Sequence, residues 1–261
     1  MNITLIIGVV LAFAALLYAI IDVGGAVAIP MFFSFGSFLI VMVGTIATVV
    51  ASYPVKVLKD FPKYLKIAFL PPKNNPVDYI KQVEDFATTA RSKGLLALED
   101  GASKCEDPFL KQAIMLIVDA NDPDKVRSML EDAIDFTTER HSIAWTFCEK
   151  MMSLAPAFGM MGTVISLVIM LNSLGEDTSQ LGPLMAIAMI TTLYGSLFAN
   201  ILFGPLRSAL KNAHDKEILC MQLVVEGVMS IAAGSNPRLI KEKLEFMLAK
   251  SDVKNNEKAA K

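Results

Sequence analysis

The sequence predicts an all-α integral membrane protein, with four transmembrane helices and a helical cytoplasmic domain. Three observations predict it. Of the 261 residues, 54% are hydrophobic. Much of that content is gathered into four runs, each long enough at ~1.5 Å rise per residue to cross ~30 Å of hydrocarbon as a helix. The cations avoid those runs: all 24 Lys and Arg residues lie in 54–150, which holds 14, or in 207–261, which holds 10. Such a partition is the positive-inside pattern, and it places both charged stretches and both termini in the cytoplasm. The charged stretches, in turn, carry repeated Asx-Pro pairs, which start helices. An Asx side chain accepts from free N–H groups at a helix start, and the proline after it has no N–H to leave unpaired.

The chain then divides into residues 1–53, a first transmembrane hairpin; 54–150, a cytoplasmic helical domain; 151–206, a second transmembrane hairpin; and 207–261, cytoplasmic helices and a tail. The first span is Met1–Ile21, an uncharged run with no basic segment before it, and so read as a retained helix and not a signal peptide. Asp22 sits at its outer end, and Val23–Pro30 makes a short external turn. The second span, Met31–Ser52, ends at Tyr53-Pro54 and has small residues at Gly36, Gly44 and Ala47 for close helix contact.

Within the insert, the segment from Pro71 to Pro76 is a break. Beyond it, Asn75-Pro76, Asp107-Pro108 and Asp122-Pro123 predict helices over Pro76–Lys93, around Leu95–Ala102, over Pro108–Asp119, and from Pro123 onwards into the membrane. The third span is Leu154–Leu174 and the fourth Pro183–Phe203, joined by an acidic loop with Glu176 and Asp177. An amphipathic pattern resumes over Arg207–Met247, interrupted at Gly234-Ser235, with Asn236-Pro237 starting the next helix. The polar tail Ser251–Lys261 is expected to be disordered.

Composition excludes several functions. A net charge of −2 does not suit a nucleic-acid partner. Cys105, Cys148 and Cys220 are odd in number, lie in the cytoplasmic segments and lack metal-ligand spacing, so they read as reduced structural thiols. His141 and Cys148 would need further ligands to hold zinc. No phosphate loop or nucleophile elbow occurs; GMMGT lies inside an apolar run with no strand before it and no lysine after it. The sequence therefore predicts neither an enzyme nor a cofactor.

The third and fourth spans carry small and hydroxyl residues at helical spacing. Gly159, Gly162, Thr163 and Ser166 fall on one side of the third, and Ala188, Thr192, Ser196 and Asn200 recur every fourth residue in the fourth. These stripes either pack helix on helix or line a path for something polar. Neither span holds Lys, Arg, Asp, Glu or His. An ion path here would therefore need its titratable carboxylate from another chain.

Three stretches, LAPAFGMMGTVISLVIML, AMITTLYGSLFANILFGPL and ARSKGLLALED, resemble the flagellar motor stator family, MotA and its sodium-type relatives PomA and MotP. The likeness covers nearly the whole chain. It implies a bacterial cell-membrane protein that forms a homopentamer around two helices of a MotB-like single-span partner. In that family the partner's aspartate carries H+ or Na+, and the flow is converted into torque on the rotor protein FliG. Pro156 and Pro205 match two prolines that couple ion flow to movement, and a proline can hinge a helix end by removing a backbone hydrogen bond. Thr163 and Thr192 match hydroxyls that face the partner's aspartate in sodium-type members, which leans the transported ion towards Na+. Ser196 and Asn200 continue that stripe, and Tyr194 lies in the same motif. Arg91 and Glu99 match the charged pair that meets FliG. Eight residues apart, they would share one side of a continuous helix, although Gly94 stands between them. An ExbB- or TolQ-like energiser shares the plan of the last two spans, and a membrane-anchored scaffold is the alternative from another class.

Overall fold

In a computed structural model of the chain, residues 2–72, 74–119, 122–173 and 178–249 are described, and every regular element among them is helical. The acidic loop with Glu176 and Asp177 and the tail Ser251–Lys261 lie outside the described residues. Four helices are long and apolar enough to cross a membrane: α1 (Ile3–Gly24), α2 (Phe35–Ser52), α7 (Pro123–Ser173) and α8 (Leu181–Ala232). Between them lie α3 (Val55–Phe69), α4 (Pro76–Lys93), α5 (Glu99–Ser103) and α6 (Pro108–Val118), and α9 (Pro237–Glu245) follows.

Each of the four Asx-Pro pairs starts a helix, and at three of them the Asx side chain caps it. Asp107 accepts from the Leu110 N–H at 2.8 Å, Asp122 from Asp124 at 3.1 Å and Asn236 from Arg238 at 3.1 Å. Asn75 differs: its side chain makes no cap bond and donates to Asp78 Oδ2 at 3.0 Å. The helix it precedes nonetheless spans the expected Pro76–Lys93 and stops at Gly94, whose φ of +85° is open to glycine at little steric cost.

The chain forms two units. The first comprises Met1–Pro72 and Ser142–Ala213. Here Val41, Val49, Phe147, Met151, Ala155, Ala199 and Phe203 make a buried cluster, with Phe61 and Tyr53 against the Phe147 ring at centroid distances of 5.1 and 5.2 Å. The turn between α1 and α2 is a 3-10 segment, Ala26–Phe32, so α2 begins at Phe35 and not at Met31. Ser34 caps it, accepting from Ser37 N at 3.3 Å.

Two π turns interrupt the spans, Leu39–Val43 in α2 and Phe198–Phe203 in α8. Both begin beside one contact, the edge-on packing of Phe38 and Phe198 at 6.0 Å. The second π turn has a local cause. Pro205 has no N–H, and its ring would press on the carbonyl four residues back in a regular helix; widening the preceding turn relieves that clash.

The second unit comprises Lys73–His141 and His214–Lys261. Its core joins α4, α6, the first part of α7, the last part of α8 and α9, with Ile80, Val83, Leu110, Ile114, Leu130, Leu223 and Leu244 all 2% exposed or less. Tyr79 donates to Asp107 at 2.5 Å, and burial with that bond holds the phenol far above its ordinary pKa. Glu226 gathers Arg127 at 3.3 Å and Lys243, while Lys241 pairs with Glu84 at 2.8 Å. The hydrogen bond from Lys243 is the main reason that the Glu226 carboxyl is held below its usual value. Cys105, Cys148 and Cys220 are free thiols.

Candidate functional site

The crossing of α7 and α8 builds the site, and glycine is what permits it. A Cβ on Gly195 would lie 2.7 Å from the Ala155 carbonyl oxygen and 3.0 Å from Pro156 Cα. One on Gly159 would meet the Thr191 carbonyl at 3.0 Å, and one on Gly162 the Thr191 Cγ2 at 2.7 Å. Gly195 and Gly159 therefore bring two backbones into contact, and Gly162 makes room for the Thr191 side chain, inside a layer where helix association rests on packing.

That contact places Thr163 beside Thr192, with their Oγ1 atoms 2.6 Å apart. Thr163 Oγ1 also lies 3.1 Å from the carbonyls of Gly159 and of Ala188. Each hydroxyl has a single proton and two lone pairs. With one shared bond and helix carbonyls as the other acceptors, the pair keeps lone pairs to offer a polar species. Thr192 is exposed and Thr163 half-buried, so the pair opens on the surface of the single chain.

The stripe continues from there. Ser196 and Asn200 are exposed along the same line of α8, and Asn200 donates to the Ser196 carbonyl at 2.9 Å. The every-fourth-residue spacing merges this stripe with the packing face, and the structure separates them. Among the small and hydroxyl residues of this stretch, Ala188, Thr191, Gly195 and Ala199 are the buried ones; Thr191 donates to the Ala188 carbonyl at 2.8 Å and is fully buried. Thr192, Ser196 and Asn200 sit one position further on, a rotation of ~100°. The signal is present in the sequence: small residues at 188, 195 and 199 form their own helical row.

Tyr194 has a clear structural task. Its hydroxyl donates to the Phe32 carbonyl at 2.6 Å and accepts from Ser34 N at 3.3 Å, fastening α8 to the start of α2.

Pro156 and Pro205, both half-buried, lie inside helices and terminate neither. Pro156 sits within the unbroken 51 residues of α7, against Gly195. Pro205 follows the second π turn, and the helix continues to Ala232. Their expected position at helix ends is thus corrected to helix interiors, where each leaves one carbonyl without its backbone partner.

Arg91 and Glu99 are both exposed, and neither is in an ion pair among the described residues. They do not share a helix: Gly94 ends α4, and a 3-10 turn, Leu95–Leu98, leads to Glu99 at the start of α5. They bracket this corner of the second unit, a separate place from the threonine pair.

Four spans, a charge-free hydroxyl stripe and a glycine-built helix crossing define a multi-pass membrane protein suited to ion passage. The family model for the MotA/TolQ/ExbB proton channel family matches residues 101–223. Motility protein A of Borreliella burgdorferi is 37% identical over 252 residues, covering 97% of this chain and 96% of that one. Chemotaxis protein PomA of Vibrio alginolyticus is 35% identical, covering 95% and 96%. The solved structure of C. jejuni MotAB superposes with a TM-score of 0.87 at 28% identity, over 96% of this chain and 97% of that chain. The chain belongs to the MotA/TolQ/ExbB proton channel family, a channel family and not an enzyme family, and within it is a MotA-like stator subunit of the flagellar motor.

Proposed function

We propose that this subunit conducts an ion together with a MotB-like single-span partner and converts the flow into torque on the rotor protein FliG. The Thr163–Thr192 pair, open on the chain's surface and set in two spans without a Lys, Arg, Asp, Glu or His, carries the proposal. Such a site can replace water around an ion but cannot hold its counter-charge, so a partner must bring a carboxylate into the layer. A partner aspartate moving along Thr163, Thr192, Ser196 and Asn200 would meet hydroxyl and amide dipoles throughout. Neutralised by its ion, it would pass to the next copy in a ring, for which a homopentamer is the expected form.

Both termini and both charged stretches, 54–150 and 207–261, are assigned to the cytoplasm by the positive-inside rule. Arg91 and Glu99, exposed and without an ion pair among the described residues, suit steering of a moving, charged rotor surface. Pro156 and Pro205 are the proposed points of flexing in α7 and α8. The ion is H+ or Na+, and the two hydroxyls favour Na+, because each can replace one water of a dehydrating cation.

Valine at both threonines keeps their shape and removes both hydroxyls. With normal expression and partner assembly, Thr163→Val/Thr192→Val should abolish ion-driven motility. Unchanged swimming would exclude the ion path and favour a membrane-anchored scaffold.

A further inference from the structure

We infer that α3 is an interfacial helix whose lysine face binds the headgroups of anionic phospholipids. Its position follows from what it joins. It starts immediately after Tyr53-Pro54, where α2 ends. At its other end, Phe69 O accepts from Asn2 N at 2.7 Å, and Ala68 O accepts from Asn2 Nδ2 at 3.3 Å. Asn2 is the residue at which α1 begins. The helix therefore links the same-side ends of two membrane spans and lies along the bilayer surface at their depth.

Its two faces differ sharply. Val57, Leu58 and Phe61 pack on the cluster with Phe147, Met151 and Phe203, and Tyr64, Leu65 and Ala68 on the one with Ala144, Leu206 and Leu210. That face is thus spent on α7 and α8. Lys56, Lys59, Lys63 and Lys66 are all exposed and fall within ~80° of one another at ~100° per residue, on the side opposite the packed one. Asp60 borders this face and is the helix's single acidic residue. None of the four lysines is in an ion pair among the described residues. Charges turned away from the bundle at interfacial depth meet phosphates, and a basic amphipathic helix beside a span has the composition for them.

The inference rests on the four-span topology and not on torque generation. It is tested with the full-length chain reconstituted in phosphatidylcholine vesicles containing spin-labelled phosphatidylglycerol or spin-labelled phosphatidylcholine. The wild type should bind phosphatidylglycerol about five-fold or more in preference, the factor that one lysine near a charged surface supplies. The preference should shrink as salt is raised. Changing Lys56, Lys59, Lys63 and Lys66 to Gln should remove it, and changing all four to Arg should retain it.

Gln at Lys81, Lys104, Lys111 and Lys125, in the second unit, should leave it unaltered. A wild type that binds both lipids equally, or a preference that survives the Gln changes at α3, would overturn the inference. So would loss of the preference when all four lysines become Arg, since the charge is then kept. Motility is not read in this assay, so its failure would leave the stator function standing.

Discussion

At Thr163 and Thr192, two hydroxyls 2.6 Å apart share a bond on a surface that also bears the carbonyls of Gly159 and Ala188. Single variants separate their roles. A neutral hydrogen bond is worth ~1 kcal/mol, so Thr192→Val alone should slow ion flux about five-fold, measured as ion uptake into vesicles holding the complex. Flux at the wild-type level would remove Thr192 from the path. Glu226 supplies a prediction of another kind. Its carboxyl is held low chiefly by the Lys243 hydrogen bond, with Arg127 adding to it. A carboxylate with a depressed folded pKa adds stability above its unfolded pKa, and loses it as pH falls through the folded value. Glu226→Gln should therefore lower the melting temperature most near neutrality, and the gap should narrow as pH falls below about 4. A gap independent of pH would mean that shape, and not charge, is what Glu226 contributes.

Among the elements, the crossing of α7 and α8 depends on Gly195, where a methyl group would collide with backbone and not with a movable side chain. Gly195→Ala should cost ~1–3 kcal/mol of stability, as overpacking does, and should separate the threonines. Melting of the purified chain checks this; a neutral result would show that the two helices slide apart freely. The same crossing shows what the sequence conveys and what it hides. Pro76–Lys93 is legible to the residue because Asn75-Pro76 and Gly94 punctuate it chemically. The four spans are legible because ~20 apolar residues without a charge match the thickness and the chemistry of a bilayer core. Helix α3 is not, since its lysines and Pro62 interrupt the apolar run, and its apolar positions become visible only as a face against Phe147. The π turn in α2 leaves no local mark, because it answers to the Phe38–Phe198 contact across helices, whereas the one in α8 is marked by Pro205 just beyond it. The split between packing row and polar row on α8 is hidden for a related reason: Thr191 and Thr192 are neighbours in sequence and look alike.

For the whole molecule, Arg91 and Glu99 lie in one unit and the threonine pair in the other, and the proposed function gives force to the one and ion flow to the other. Arg91→Glu should reduce torque, read as the rotation rate of tethered cells, while leaving membrane insertion and partner assembly intact. Normal torque would remove this charge from the rotor contact. The most direct measurement is the swimming speed of cells driven only by this subunit and its partner, at fixed pH, as external sodium is varied with and without a protonophore. Motility that rises with sodium and saturates is the predicted result, and it would give Thr163 and Thr192 their place at the ion site. Motility indifferent to sodium and abolished by the protonophore would keep the stator and contradict the sodium assignment. No motility in any condition, with the complex assembled in the membrane, would contradict the stator function itself.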